Sequence, residues 1–131
     1  MWGSAVIQEL KAVAALNDRQ SARLCLHPNP AAEHQEMLIV LSKASRERPQ
    51  RRTIGFDTKV VIEGRASLRY YAPDGELSRS QQLGSPESLY VHTCTSEYHS
   101  LKVESDYFVF LEILKGPFTS DTTEFAEWQN D

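Results

Sequence analysis

The spacing of apolar residues changes about a quarter of the way along the chain. Between residues 3 and 17, Val6, Leu10, Val13 and Ala14 recur at helical intervals with Gln8, Glu9 and Lys11 among them. This predicts one short amphipathic helix, ended by Asn17 and Asp18. The segment 26–30 cannot extend a helix, because Pro28 and Pro30 each lack a backbone donor and restrict the residue before them. Beyond it the period shortens. Segments 37–41, 58–64, 66–71, 76–83, 88–92, 98–103 and 107–114 are short runs rich in β-branched and aromatic residues, and their frequency predicts a sandwich or barrel. Pro73-Asp74-Gly75 is a turn signal, since proline presets one dihedral and glycine accepts a positive one, and it should close a hairpin between segments 66–71 and 76–83. Tyr107, Phe108, Phe110 and Leu111 are apolar on both faces of their run, as in a central strand covered on both sides. The polar tail 119–131 is expected to be pinned to the barrel by Phe125 and Trp128.

Composition narrows the class. A chain of 131 residues, 40% hydrophobic and 24% charged, suits one soluble domain, with residues 1–25 as a helical segment packed on a barrel of residues 26–131. No run approaches the roughly 20 apolar residues of a bilayer crossing. Gln8, Glu9 and Lys11 interrupt the only N-terminal apolar run before it resembles a signal peptide. These features predict a cytoplasmic protein with no membrane partner. The two cysteines, Cys25 and Cys94, lack the CxxC spacing of a metal clip or redox pair and are expected as free thiols packed as small apolar groups. A formal net charge of -4 argues against a nucleic-acid partner. The local exception, Arg46, Arg48, Arg51 and Arg52, reads as a solvated loop.

Several strings then fall in a telling order: LHPNP followed by HQEMLIVL, RPQRR, EGRASLRYYAPDGEL, YHSL, EILKGPF and EFAEW. Through them the chain resembles, from about residue 22 to 128, the WbuC-like cupins found among genes for surface-polysaccharide synthesis. The resemblance implies a mainly β cupin, or double-stranded β-helix (jelly-roll), barrel with a short N-terminal helix. It also implies a sugar-type small-molecule ligand and a homodimer. The first cupin motif, HxHxxxxE closed by a glycine, is occupied here by Gln50, Arg52, Asp57 and Gly64, and His99 falls where the family's second motif supplies a histidine.

These substitutions work against the family's metal. An amide oxygen is a poor replacement for imidazole, and a guanidinium has no lone pair to give. Asp57 and His99 alone remain as competent ligands, so no cofactor is expected and a divalent metal is disfavoured. Arginine in a barrel mouth instead offers a fixed positive charge with bidentate geometry, which implies an anionic ligand, a sugar acid or the phosphate of a nucleotide-sugar, held by Arg52 with Arg48 or Arg51 at the rim. The expected binding residues are Gln50, Arg52, Asp57, Lys59 and His99, with Tyr70, Tyr98 and Phe110 as walls. Alternatively, Arg52 pairs with Asp57 and merely plugs the cavity; on either reading the two should lie close together. Lys59 shares Asp57's face by strand alternation unless a bulge intervenes, and Glu112 either faces the cavity or pairs with a neighbour. His99 is either hydrogen-bonded without further role or a proton-transfer residue oriented by Asp57. That leaves a sugar-binding protein first, a carbohydrate isomerase, epimerase or lyase second, and a structural or regulatory dimer third.

Overall fold

The structure is a computed structural model and describes residues 2–84, 86, 88–93 and 96–128. The predicted helix forms as α1 (Ser4–Leu16), and the Asn17 side chain donates to the Val13 carbonyl at 3.0 Å beyond its end. Ten strands follow: β1 (Ser21–Cys25), β2 (His34–Ser42), β3 (Gln50–Arg52), β4 (Asp57–Glu63), β5 (Ala66–Tyr71), β6 (Leu77–Leu83), β7 (Tyr90–Thr93), β8 (Tyr98–Val103), β9 (Tyr107–Lys115) and β10 (Thr123–Phe125). They build two five-stranded antiparallel sheets, ordered β1-β2-β9-β4-β7 and β10-β3-β8-β5-β6.

Side-chain alternation then separates two cores. Inward residues of both sheets, among them Met37, Ile39, Leu68, Leu101, Phe108 and Phe110, fill the space between the sheets. Outward residues Leu38, Val40 and Val109 form a second cluster with Ile7 and Ala14 of α1. β9 is therefore apolar on both faces for two reasons: Phe108 and Phe110 point into the barrel, and Val109 lies under the helix. Each such buried side chain stabilises the fold by about 1.5–3 kcal/mol. The helix buries Ile7 and Ala14 and half-buries Leu10, whereas Val13, expected on the same face, is 54% exposed.

Three short strands lie outside the predicted set. Residues 21–25, assigned to a helical segment by the sequence, form β1 because every one of them pairs with β2, from Ser21 opposite Leu41 to Cys25 opposite Met37. β3 and β10 pair with each other, Thr123 opposite Arg52 and Phe125 opposite Gln50. The tail is thus fixed by its backbone at β10 and by Trp128, whose indole donates to the Pro73 carbonyl at 3.1 Å. Phe125 itself stays 48% exposed. The hairpin at residues 73–75 forms as expected, with Gly75 at φ +95° and β5 paired to β6. Cys25 is a free thiol but exposed, since it ends an edge strand; Cys94 lies outside the described residues. Among the described residues no helix is long and apolar enough to cross a membrane.

Candidate ligand-binding site

Register places charge inside the barrel. On β4 the inward positions are Asp57 and Lys59, with Lys59 directly opposite Glu112 of β9 and Asp57 opposite Leu114. The β4 bulge falls between Val61 and Glu63, beyond Lys59, so alternation holds and the lysine faces inward. From the other sheet, β8 contributes His99, which sits opposite Gln50 of β3. These residues line a cavity of about 490 Å³ between the sheets, within the usual range for small-molecule pockets.

At its floor, Lys59 Nζ lies 2.6 Å from Asp57 Oδ2 and 3.3 Å from Glu112 Oε2. Burial works against the ammonium, but the charges of Asp57 and Glu112 and the bond to Asp57 outweigh it and hold the Lys59 pKa above its ordinary value. Burial, reinforced by the Asp57 charge, pushes the Glu112 carboxyl up to about 7. Glu47, half-buried in the segment before β3, is also pushed up to about 7, chiefly by desolvation. Near neutral pH these two carboxyls are shared between protonated and ionised forms.

His99 is 4% exposed and faces the same floor. Its Nδ1 lies 3.1 Å from the Glu97 carbonyl oxygen, which can only accept, so Nδ1 carries the proton and donates it there. Nε2 is left with a lone pair, 3.8 Å from Asp57 Oδ2. Burial first, and then the Lys59 charge, lower the His99 pKa, which keeps the imidazole neutral at pH 7.

Arg52 lines the cavity but does not form the expected pair with Asp57. Its Nη2 donates to the Lys115 carbonyl at 2.7 Å and its Nη1 to Thr123 Oγ1 at 3.3 Å. Among the described residues it makes no ion pair within 4.0 Å, so Lys59, not Arg52, is the partner of Asp57. Arg52 Nε and Asp57 Oδ1 are both buried without a hydrogen-bond partner. Of the expected site residues, Gln50, Arg52, Asp57, Lys59, His99 and Phe110 line the cavity. Tyr70 and Tyr98 do not. The Tyr70 hydroxyl bonds Thr93 Oγ1 at 3.2 Å, and Tyr98 lies edge-on to Trp128 under the Arg51 guanidinium. Apolar walls at the mouth come instead from Phe118 and Phe125.

Sequence reasoning missed Arg19, Arg23 and Glu47. Arg23 is brought in by β1, where Ser21 and Arg23 alternate inward and Arg23 pairs with Ile39. With them, Arg19, Arg23, Arg46, Arg48, Arg51 and Arg52 all border the cavity. Arg51 is neutralised by Glu124 at 2.8 Å. Arg48 donates to the Ala126 carbonyl, and Arg46 to the carbonyls of Ala44 and Ser45. Carbonyl acceptors leave a guanidinium's net charge intact.

The donor set does not suit the metal that this kind of barrel implies. Of the frame positions only Asp57 and His99 are good ligands, the Gln50 amide oxygen being a poor one, and an ammonium already stands between Asp57 and Glu112. Among the described residues no group of three or more His, Cys, Asp or Glu is arranged to hold an ion. Lys59 is the resident cation.

Two facing antiparallel sheets around a side-chain-lined cavity have the cupin, or double-stranded β-helix, fold, as the likeness to solved structures shows. A protein of Shewanella oneidensis is 14% identical over 95% of this chain and 85% of its own, with a TM-score of 0.69. An uncharacterised conserved protein with a double-stranded β-helix domain from Klebsiella pneumoniae is 13% identical over 82% and 85%, with a TM-score of 0.63. A cupin 2 conserved barrel domain protein from Rhodopseudomonas palustris is 10% identical over 79% and 65%, with a TM-score of 0.60. No protein-family model and no curated protein matches the chain. An oxalate decarboxylase and an 11S globulin also share the architecture, so the cupin fold alone does not separate an enzyme from a storage protein.

Proposed function

We propose that this cupin-fold protein binds an anionic small molecule, a sugar acid or sugar phosphate, without a metal. The observation that carries the reading is the set of guanidinium groups around the cavity: of the six, only Arg51 is paired with a carboxylate among the described residues. Cations gathered around a concave site with so little neutralisation attract anions and hold carboxylate or phosphate through paired N–H donors. The WbuC-like strings in the sequence support a carbohydrate ligand and, through it, a link to surface-polysaccharide synthesis.

Thermal unfolding with a panel of sugar acids and sugar phosphates tests this. A binder present at 100 times its Kd should add about 2.7 kcal/mol of stability. Arg23→Ala, at an exposed edge-strand position, should abolish that gain while leaving the unliganded melting temperature nearly unchanged. Unchanged melting across the whole panel overturns the reading.

A second reading is supported by His99. A neutral imidazole with its Nε2 lone pair turned to the cavity and Asp57 Oδ2 at 3.8 Å to orient it is a proton-transfer arrangement. On this reading the protein is a carbohydrate isomerase, epimerase or lyase. Exchange of solvent deuterium into a bound sugar derivative, lost in His99→Asn, tests it; equal exchange in the variant removes His99 from any such role.

A further inference from the structure

The cavity is divided by charge, and its depth matters. Arg19, Arg23, Arg46 and Arg48 at the mouth are solvent-exposed, whereas Lys59, Asp57 and His99 at the floor are buried, and the Glu112 side chain is 14% exposed. The floor holds one ammonium against Asp57 and Glu112, with Glu47 nearby, and Lys59 Nζ is already committed to its two carboxylate partners. An anion driven to the Lys59 end of the cavity would meet the carboxyls of Asp57 and Glu112, with the ammonium already held between them. Arg52, the one buried guanidinium among the described residues, has both terminal nitrogens turned to Lys115 and Thr123, away from Asp57, and only its Nε is unpartnered.

What the floor does offer is acceptors. Asp57 Oδ1 has no hydrogen-bond partner, and its residue is 4% exposed. His99 Nε2 carries a lone pair with Asp57 Oδ2, another acceptor, at 3.8 Å. Glu112 lines the same cavity. Buried acceptors of this kind are satisfied by hydroxyl groups, which donate and carry no charge.

We infer that the site reads its ligand from end to end: the anionic group stays at the arginine mouth, and neutral hydroxyls descend to Asp57, His99 and Glu112. The ligand class is a polyhydroxylated anion longer than a bare carboxylate or phosphate. This rests on the anion-binding reading above and adds to it a direction and a requirement for hydroxyls.

Titration calorimetry on the full chain with three kinds of probe separates the two. Gluconate and glucose 6-phosphate are hydroxylated anions, inorganic phosphate and acetate are bare anions, and glucitol is a neutral polyol. The expected order is hydroxylated anions at least tenfold tighter than bare anions, with glucitol weakest. Glu112→Gln, nearly isosteric, should reduce that advantage about tenfold and leave phosphate affinity unchanged. Glu47→Gln, at a half-buried position, should move the ratio less and guards against a folding defect in the first variant. If phosphate binds as tightly as gluconate, or Glu112→Gln weakens both equally, the two-ended site is wrong while anion binding stands. If none of these probes binds, the anion reading falls, and this inference with it.

Discussion

Lys59 Nζ lies 2.6 Å from Asp57 Oδ2, and each of the two side chains is only 5% exposed. Removing one member of such a pair leaves the other charged and desolvated, a loss of about 3–5 kcal/mol. Asp57 is especially sensitive because its Oδ1 already lacks a partner. Lys59→Met should therefore lower unfolding free energy by that amount in urea titration, and Asp57→Asn added to it should restore part of the loss. A Lys59→Met variant within about 1 kcal/mol of the parent would mean that water reaches the pair.

The floor carboxyls make stability depend on pH with an unusual sign. Glu47 and Glu112 are both raised from 4.5 to about 7, so the folded protein keeps protons that the unfolded chain has released. Stability attached to these groups is complete below about pH 4.5 and falls as pH rises towards about 7, with a slope of at most about 1.4 kcal/mol per pH unit for each proton. His99 opposes them: its lowered pKa costs stability as pH falls below 6.5. Comparing the parent with Glu112→Gln cancels most other groups. Their difference in unfolding free energy should shift against the parent between pH 4.5 and 7 and level off above; a flat difference would show that Glu112 is hydrated.

The strands that carry the barrel were legible because they are runs of β-branched, aromatic and aliphatic residues, as in Tyr107–Lys115 of β9. β1 was hidden because its sequence, SARLC, places a serine and an arginine at the inward positions, and β3, QRR, contains no apolar residue at all. The same chemistry that hides those strands makes the cavity polar. For this reason Gln50, Arg52, Asp57 and His99 were found through the cupin spacing and Lys59 through strand alternation from Asp57, whereas Arg19, Arg23 and Glu47, outside that frame, were not. The partner of Asp57 was misread because Arg52 is aimed at the Lys115 carbonyl by the β3–β10 pairing, a long-range contact that local spacing does not encode.

Exposure of Cys25 at the end of an edge strand gives a simple check on β1. A thiol there should react with Ellman's reagent in the native protein, without denaturant, and Cys25→Ser should remove that fast-reacting equivalent. Slow reaction, released only on unfolding, would place residue 25 inside the packed structure and remove the edge position of β1.

Arg52 is a fastener between strands. Its two terminal nitrogens tie β3 to the end of β9 and to β10, through Lys115 and Thr123. Arg52→Ala should thus cost about 1–3 kcal/mol in the unliganded protein, since it removes two part-buried hydrogen bonds and empties a packed position. Arg23→Ala, with no such role, should leave unliganded stability within about 0.5 kcal/mol of the parent. Ligand affinity should separate the two in the opposite direction: at conditions where Arg52→Ala is folded it should retain anion binding within a few fold, while Arg23→Ala loses tenfold or more. Calorimetry beside chemical unfolding on both variants measures the crossing directly. If Arg52→Ala loses binding and keeps its stability, the guanidinium belongs to the ligand after all, and the floor of the cavity is the anion site.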